Sequence, residues 1–284
     1  MRSSQIMDDK SLADYDHRGL IPGPGENEEQ FLLRVEYCLG LRKTLVEKKS
    51  EELPAINFDD QEGFLREGCE EVKKVYLIDP DWVPIAISAE GLAPWHGGVT
   101  WIFQLEENSP WGALLQVRRR PWWISRNEVV AHELCHIGRM AFQELEYEEI
   151  LAYWTSASSW RRWFGAVVQT KMESFWFVIA LLSVLIFDFS TMIWGSYQTF
   201  LFAQWFKLLP LGMAAWGVWR LAQRMKKFSK VLKKLEDCTS NPLAFIYRLT
   251  DREINLFSGK SSAQIKEYIE QQDSLRWQAI KILK

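Results

Sequence analysis

The segment Val129-Val130-Ala131-His132-Glu133-Leu134-Cys135-His136 holds two of the four histidines in this chain, four residues apart. On a helix that spacing is about one turn, so both imidazoles share a face and Glu133 projects beside them. Two neutral imidazoles are metal ligands and a neighbouring carboxylate is a base, so the set suits one zinc ion (Zn2+) and one water. Glu133 is not needed to hold a metal, and its presence argues for hydrolytic chemistry over a purely structural ion. Cys135, inside the same segment, is expected as a small buried hydrophobe.

A catalytic zinc normally takes three protein ligands, so one more is required. Glu144, Glu146, Glu148 and Glu149 follow within reach. The histidine helix is predicted to run to about Phe142, turn through QELEY, and be followed by a second helix from near Glu148 that folds back beside it. On that helix Glu149, Ala152 and Ser156 share a face, and the small residues permit close approach. Glu149 is the preferred third ligand and Glu148 the alternative; Glu144 and Glu146 are expected in a solvated turn. A zinc-activated water would attack a carbonyl, with Glu133 taking its proton and passing it to the leaving group. Tyr153 is the first candidate to stabilise the oxyanion, with His96 and Arg139 behind it. Each has a plainer reading: Tyr153 as core, His96 as a loop residue beside Gly97-Gly98, Arg139 as a partner of a nearby glutamate.

The elements that must position these groups are legible in outline. Residues 28–48 have apolar spacing of helical period behind an Asn27 cap, with Pro22 and Pro24 marking the approach. A second helix is predicted over residues 60–73. Three extended runs follow, KVYLI to VPIAIS, then GVTWIFQL, then ALLQVRRR, separated by the breakers DPDW, APWHGG and ENSPWG. Ser125 caps the histidine helix, with Glu128 three residues on. Helices, a small sheet, and a metal helix make an α+β domain.

VVAHELCHIG resembles the zincin metallopeptidases closely, and EEILAY resembles them more loosely. The glutamate followed three residues later by alanine, Glu149 and Ala152, is similar to the gluzincin branch. That resemblance implies zinc held by His132, His136 and Glu149, Glu133 as general base, and a peptide or protein substrate. In zincins an extended peptide commonly adds to an edge strand above the metal helix, for which GVTWIFQL or ALLQVRRR would serve. Arg118-Arg119-Arg120 would favour acidic substrates if it faces them, and is otherwise a solvated strand end. A weaker similarity, to membrane-bound CAAX-prenyl-protease and HtpX-type enzymes, fails at two points. Apolar spans here only follow the HExxH segment, and Tyr153 stands where aspartate is usual. Prenylated substrates therefore do not follow.

Past Lys171 the chain changes character. Residues 174–194 carry a single charge, Asp188, and residues 199–219 a single charge, Lys207. Each run is about twenty residues, the length that crosses a bilayer as a helix. A transmembrane hairpin is expected over residues 172–222, with Pro210 kinking its second arm or delaying its start. Fifteen tryptophans, many of them in the second half, suit membrane interfaces. Arg161, Arg162 and Lys171 precede the hairpin, and Arg220, Arg224, Lys226, Lys227 and Lys230 follow it. The positive-inside rule then places the flanking parts in the cytoplasm, as an integral membrane protein (in a bacterium, of the inner membrane), with anionic lipid beside the basic run. The chain divides into an N-terminal extension (1–26), a zincin-like domain (27–171), the hairpin (172–222) and a helical cytoplasmic tail (223–284). That tail has a capping box at Thr250-Asp251-Arg252-Glu253 and is assigned to packing or partner recognition.

Net charge over the 284 residues is −3, which gives no argument for nucleic acid as a partner. The amino terminus lacks a signal-peptide core, so neither secretion nor cleavage is expected. Four cysteines without CxxC spacing suggest neither disulfides nor a cysteine-rich zinc site. Two rival functions remain: a catalytically silent zincin-fold scaffold that binds partners, and a zinc hydrolase acting on non-peptide substrates.

Overall fold

The computed structural model describes residues 7–47, 61–105, 107, 109–121 and 124–283. Helices dominate, and the sheet is small and mixed, as an α+β chain requires. The chain divides into two compact units, residues 1–157 with 227–284, and residues 158–226. Residues 227–284 share a unit with the histidine helix.

In the first unit, α1 (Asp9–His17) and α2 (Glu28–Glu47) precede α3 (Gln61–Tyr76). Asn27 caps α2 reciprocally: its side chain accepts from Gln30 N at 2.9 Å and Gln30 returns the contact at 3.1 Å. Lys48 and Asp60, at the expected ends of two helices, lie outside the described residues. Before residue 27, Leu12, Leu20 and Ile21 are buried in the core.

Of the run KVYLI, Lys74, Val75 and Tyr76 end α3 and are helical, whereas Leu77 and Ile78 lie beyond it. The run's apolar content favours a strand locally, but Cys69, Val72 and Tyr76 recur at helical spacing and are all buried, so packing decides. The helix stops where Leu77 takes a φ of 59°. Gly68 lets α3 lie against the histidine helix, because a Cβ there would stand 2.2 Å from Val130 Cγ1.

Strands β1 (Ile85–Ile87), β2 (Gly98–Phe103) and β3 (Gly112–Val117) form a sheet in the order β1-β3-β2. β3 pairs parallel with β1 (Ile85 opposite Leu115) and antiparallel with β2 (Gly98 opposite Val117). All six β3 residues are buried, which fits a central strand, whereas β2 is an edge with Trp101 and Ile102 exposed. Helices α4 (Arg126–Gly138) and α5 (Glu148–Trp154) follow.

The second unit contains α6 (Ser159–Phe164), a single 3-10 turn, α7 (Lys171–Trp194), α8 (Tyr197–Phe206) and the first part of α9 (Leu208–Leu235). Met172–Trp194 has a mean hydropathy of 2.1, long and apolar enough to cross a membrane. The second apolar run is not one helix. It breaks at Lys207, whose Nζ lies 2.9 Å from Asp188 Oδ2, and Pro210 falls in the first turn of α9, where its missing N–H is harmless. Arg220 ties the unit together by donating to Glu173 Oε2 at 2.8 Å and to the Val167 carbonyl at 3.3 Å.

The tail forms α10 (Pro242–Tyr247), α11 (Asp251–Gly259), α12 (Ser262–Glu270) and α13 (Leu275–Ile282). The capping box at Thr250 and Glu253 is present, and Ser261 with Gln264 forms another. Arg248 joins the tail to α1: its Nη2 stands 2.6 Å from Asp16 Oδ2, both side chains almost wholly buried, while Nη1 donates to the Tyr76 and Ala244 carbonyls. Arg248→Met would leave the Asp16 carboxylate buried without its cation. Stability should fall by about 3–5 kcal/mol in chemical denaturation of the detergent-solubilised chain. A loss below about 1 kcal/mol would show that the pair contributes little to the fold.

Candidate metal centre

Ser125 begins α4 by accepting a hydrogen bond from Glu128 N, and Val130, Ala131, Leu134 and Ile137 bury the opposite side of the helix. That face fixes the rotation of α4 and turns His132 and His136 toward α5, at whose first turn Glu148 and Glu149 lie. Between the helices, Gln143 takes a φ of 52° and the chain reverses.

One donor atom from each of His132, His136 and Glu149 falls within 4.8 Å of the others. The two Nε2 atoms are 3.3 Å apart, and Glu149 oxygens stand 3.5 Å from His132 Nε2 and 3.7 Å from His136 Nε2. Ligands about 2.0–2.1 Å from a tetrahedral metal ion are separated by about 3.3–3.4 Å, close to the spacing of the two Nε2 atoms and of each Glu149 oxygen from its histidine nitrogen. Two imidazole nitrogens facing each other at this distance require a proton or a cation between them. The group could hold a metal ion.

Glu148 does not join the ligand face. Adjacent helical residues point about 100° apart, so only one of the pair can face the histidines. Glu148 lies behind His136, with Oε1 3.2 Å from Nδ1. Accepting the Nδ1 proton leaves Nε2 with its lone pair directed at the ligand face, a carboxylate–histidine arrangement familiar at zinc sites. Arg139 and His136 outweigh burial and hold the Glu148 carboxyl below its usual range.

Glu133 is fixed from the sheet. Thr100 Oγ1 lies 2.8 Å from Glu133 Oε2 and 3.0 Å from the Glu133 carbonyl, so a β2 hydroxyl anchors this carboxylate at the rim. Gly98 makes that approach possible, since a Cβ there would meet Val129 Cγ1 at 2.9 Å and the Gln116 carbonyl at 3.0 Å. Thr100 was not among the residues expected at the site. Its signal in the sequence is only that it follows Gly97-Gly98 on a strand.

The remaining candidates separate clearly. The Tyr153 ring packs edge-on against His132, 4.6 Å between centroids, which places it beside the ligand face. His96 lies in the turn before β2, its ring against Trp95 and its carbonyl accepting from Arg118 Nε. Arg139 is fully buried and engaged by Glu148, Glu144 and the carbonyls of Tyr247 and Leu249, so it is no oxyanion donor. Arg118 holds the preceding loop through the Leu92, Ala93 and His96 carbonyls, which removes it from any substrate-facing basic patch. Cys135 is buried, and burial pushes its thiol well above the ordinary range, away from the thiolate a metal would need. Glu144 reaches Arg139 and the backbone N–H of Asp251, so it is part of the fold rather than a solvated turn residue.

Without metal, burial and then the His136 charge keep His132 neutral. Burial disfavours the His136 cation, but the Glu148 hydrogen bond and the Glu149, Glu148 and Glu133 charges prevail and raise it to about 9. Burial, with help from the Glu133 and Glu148 charges, raises Glu149 to about 7. A cation must displace these protons, so its affinity should fall as pH falls: about tenfold per unit between pH 9 and 7, and more steeply below. Competition against a chromophoric chelator across that range measures it. A flat profile would contradict the protonation pattern.

No protein-family model matches this chain, no curated protein matches it, and no solved structure matches it.

Proposed function

We propose that this chain is a membrane-anchored, zinc-dependent metallopeptidase of zincin architecture. The observation that carries the reading is the grouping of His132 and His136 Nε2, 3.3 Å apart, with Glu149 Oε2 3.5 Å from the first and Glu149 Oε1 3.7 Å from the second, on two helices beside a carboxylate that accepts from Thr100. Bound zinc would supply Lewis acidity, bringing the pKa of a water toward neutrality and sharing the negative charge that develops on the attacked carbonyl oxygen.

The chain's own groups do the rest. Thr100 satisfies Glu133 Oε2 and restricts its rotamers, so the carboxylate meets the attacking water in one orientation. Glu133 takes the water's proton and later gives it to the leaving amine nitrogen. Tyr153, packed beside His132, is the residue of this site placed to assist at the carbonyl oxygen. β2 is the edge on which an extended peptide would pair; β3, central and buried, is unsuited to that role.

In this reading α7 spans the bilayer, and α8 with the first half of α9 forms the returning arm of a hairpin. Large exposed apolar side chains concentrate there, among them Phe189, Met192, Trp194, Phe202, Trp205 and Leu211. The basic residues on both flanks support, by the positive-inside rule, a cytoplasmic position for both ends of the unit. Alkaline carbonate should leave the full chain in the membrane pellet, and detergent should release it; release by carbonate alone would remove the anchor. The peptidase reading is tested by incubating the zinc-loaded chain in detergent with a mixed peptide pool. New peptide termini should appear by mass spectrometry and vanish with a chelator. No new termini under any loading condition would favour the scaffold or a non-peptide substrate.

A further inference from the structure

The least expected group near the metal helix is Arg139, a fully buried arginine with no surface role. Its Nε donates to Glu148 Oε2 at 2.7 Å, and the other oxygen of the same carboxylate meets His136 Nδ1 at 3.2 Å. On its far side Nη1 donates to the Tyr247 carbonyl and, at 3.0 Å, to the Leu249 carbonyl, both in the C-terminal tail. The guanidinium also lies 4.5 Å over the Phe142 ring, so its plane is set by packing as well as by hydrogen bonds.

The tail touches the same region at further points. Tyr247 Oη donates to the Cys135 carbonyl within α4 at 2.7 Å. Asp251 Oδ2 accepts from Glu146 N at 2.7 Å, and Asn255 Nδ2 donates to Glu146 Oε2 at 2.8 Å, holding the loop that leads into α5. That loop fixes where Glu148 and Glu149 begin their helix.

We infer that Arg139 is a positioning residue, and that the tail between Tyr247 and Asp251 is a working part of the metal site: Arg139 carries its docking through Glu148 to His136. The physical basis is that an imidazole ligates well only when its other nitrogen is held by an acceptor, and Glu148 can be that acceptor only while its second oxygen is fixed. Arg139 suits the task because its planar fork serves a carboxylate and two carbonyls at once, which an ammonium cannot match. The tail thus bears on chemistry although it contributes no ligand.

The inference rests on the zinc reading, so its test reads metal directly. Cobalt(II), whose visible bands report ligand geometry, is titrated into the metal-free full chain in detergent, as wild type and as Arg139→Lys, Glu148→Gln and Asp251→Ala. Glu148→Gln changes a single atom and keeps the side-chain volume, so it guards against a misfolded Arg139 variant. Each variant should bind cobalt about 10–100-fold more weakly than wild type and with shifted visible bands, while far-ultraviolet dichroism stays unchanged. Wild-type affinity and bands in Arg139→Lys and Glu148→Gln would overturn the relay, and the same result in Asp251→Ala alone would remove the tail from it. If the wild type binds neither cobalt nor zinc, the metallopeptidase reading itself falls, and the relay with it.

Discussion

Glu133→Gln should lower peptide hydrolysis by about 10²–10⁴-fold while the protein keeps its zinc. Glutamine has the volume of glutamate and can still accept from the Thr100 hydroxyl, so β2 and α4 keep their contact. It cannot take a proton from water near neutral pH. The effect belongs in kcat, because the group acts on the reacting water and not on the substrate in its ground state. The measurement is peptide turnover by wild type and variant, each with its zinc content determined. Equal turnover at equal zinc would remove Glu133 from the chemistry, and loss of zinc in the variant would give Glu133 a structural role instead.

Glu149→Gln should weaken zinc binding beyond the roughly 10–100-fold expected for a residue behind a ligand, which is the range expected of Glu148→Gln. The difference follows from where the two carboxylates sit. Glu149 faces both Nε2 atoms, whereas Glu148 faces His136 Nδ1 and Arg139. Glutamine at position 149 offers a neutral carbonyl oxygen in place of an anion, and the site loses its only charge-neutralising ligand. Zinc affinities of the two variants, measured by chelator competition at one pH, separate the roles. Near-wild-type affinity in Glu149→Gln together with zinc loss in Glu148→Gln would exchange them.

The histidine helix and the grouping of His132, His136 and Glu149 were legible because their signals are local. A serine cap, a buried apolar face and a four-residue histidine spacing act within one helix, and Glu149 and Ala152 lie on the next, which ends at Trp154, short of Ser156. Adjacent Glu148 and Glu149 could not be separated by periodicity alone, since that choice depends on how α5 is rotated against α4. Part of what surrounds Glu148 comes from far away: its partner Arg139 donates to the Tyr247 and Leu249 carbonyls, more than a hundred positions along the chain. No short-range pattern encodes such contacts.

The KVYLI run failed for the opposite reason. Val75 and Tyr76 favour a strand locally, and the buried helical stripe of α3 overrode them, while Leu77 and Ile78 lie past its end. In the second unit, hydropathy found the apolar runs but not the break at Lys207. Its ion pair with Asp188 joins α7 to the α8–α9 junction across the helices, a pairing that a window sliding along the chain does not register.

X-ray absorption at the zinc edge of the loaded full chain would define the ion's surroundings without reference to any substrate. Two imidazole nitrogens and carboxylate or water oxygen should appear at about 2.0–2.2 Å, with no sulfur near 2.3 Å, and the imidazole signature should diminish in His132→Ala. A sulfur neighbour, a spectrum unchanged by His132→Ala, or a chain that takes up no zinc would contradict the site built from His132, His136 and Glu149.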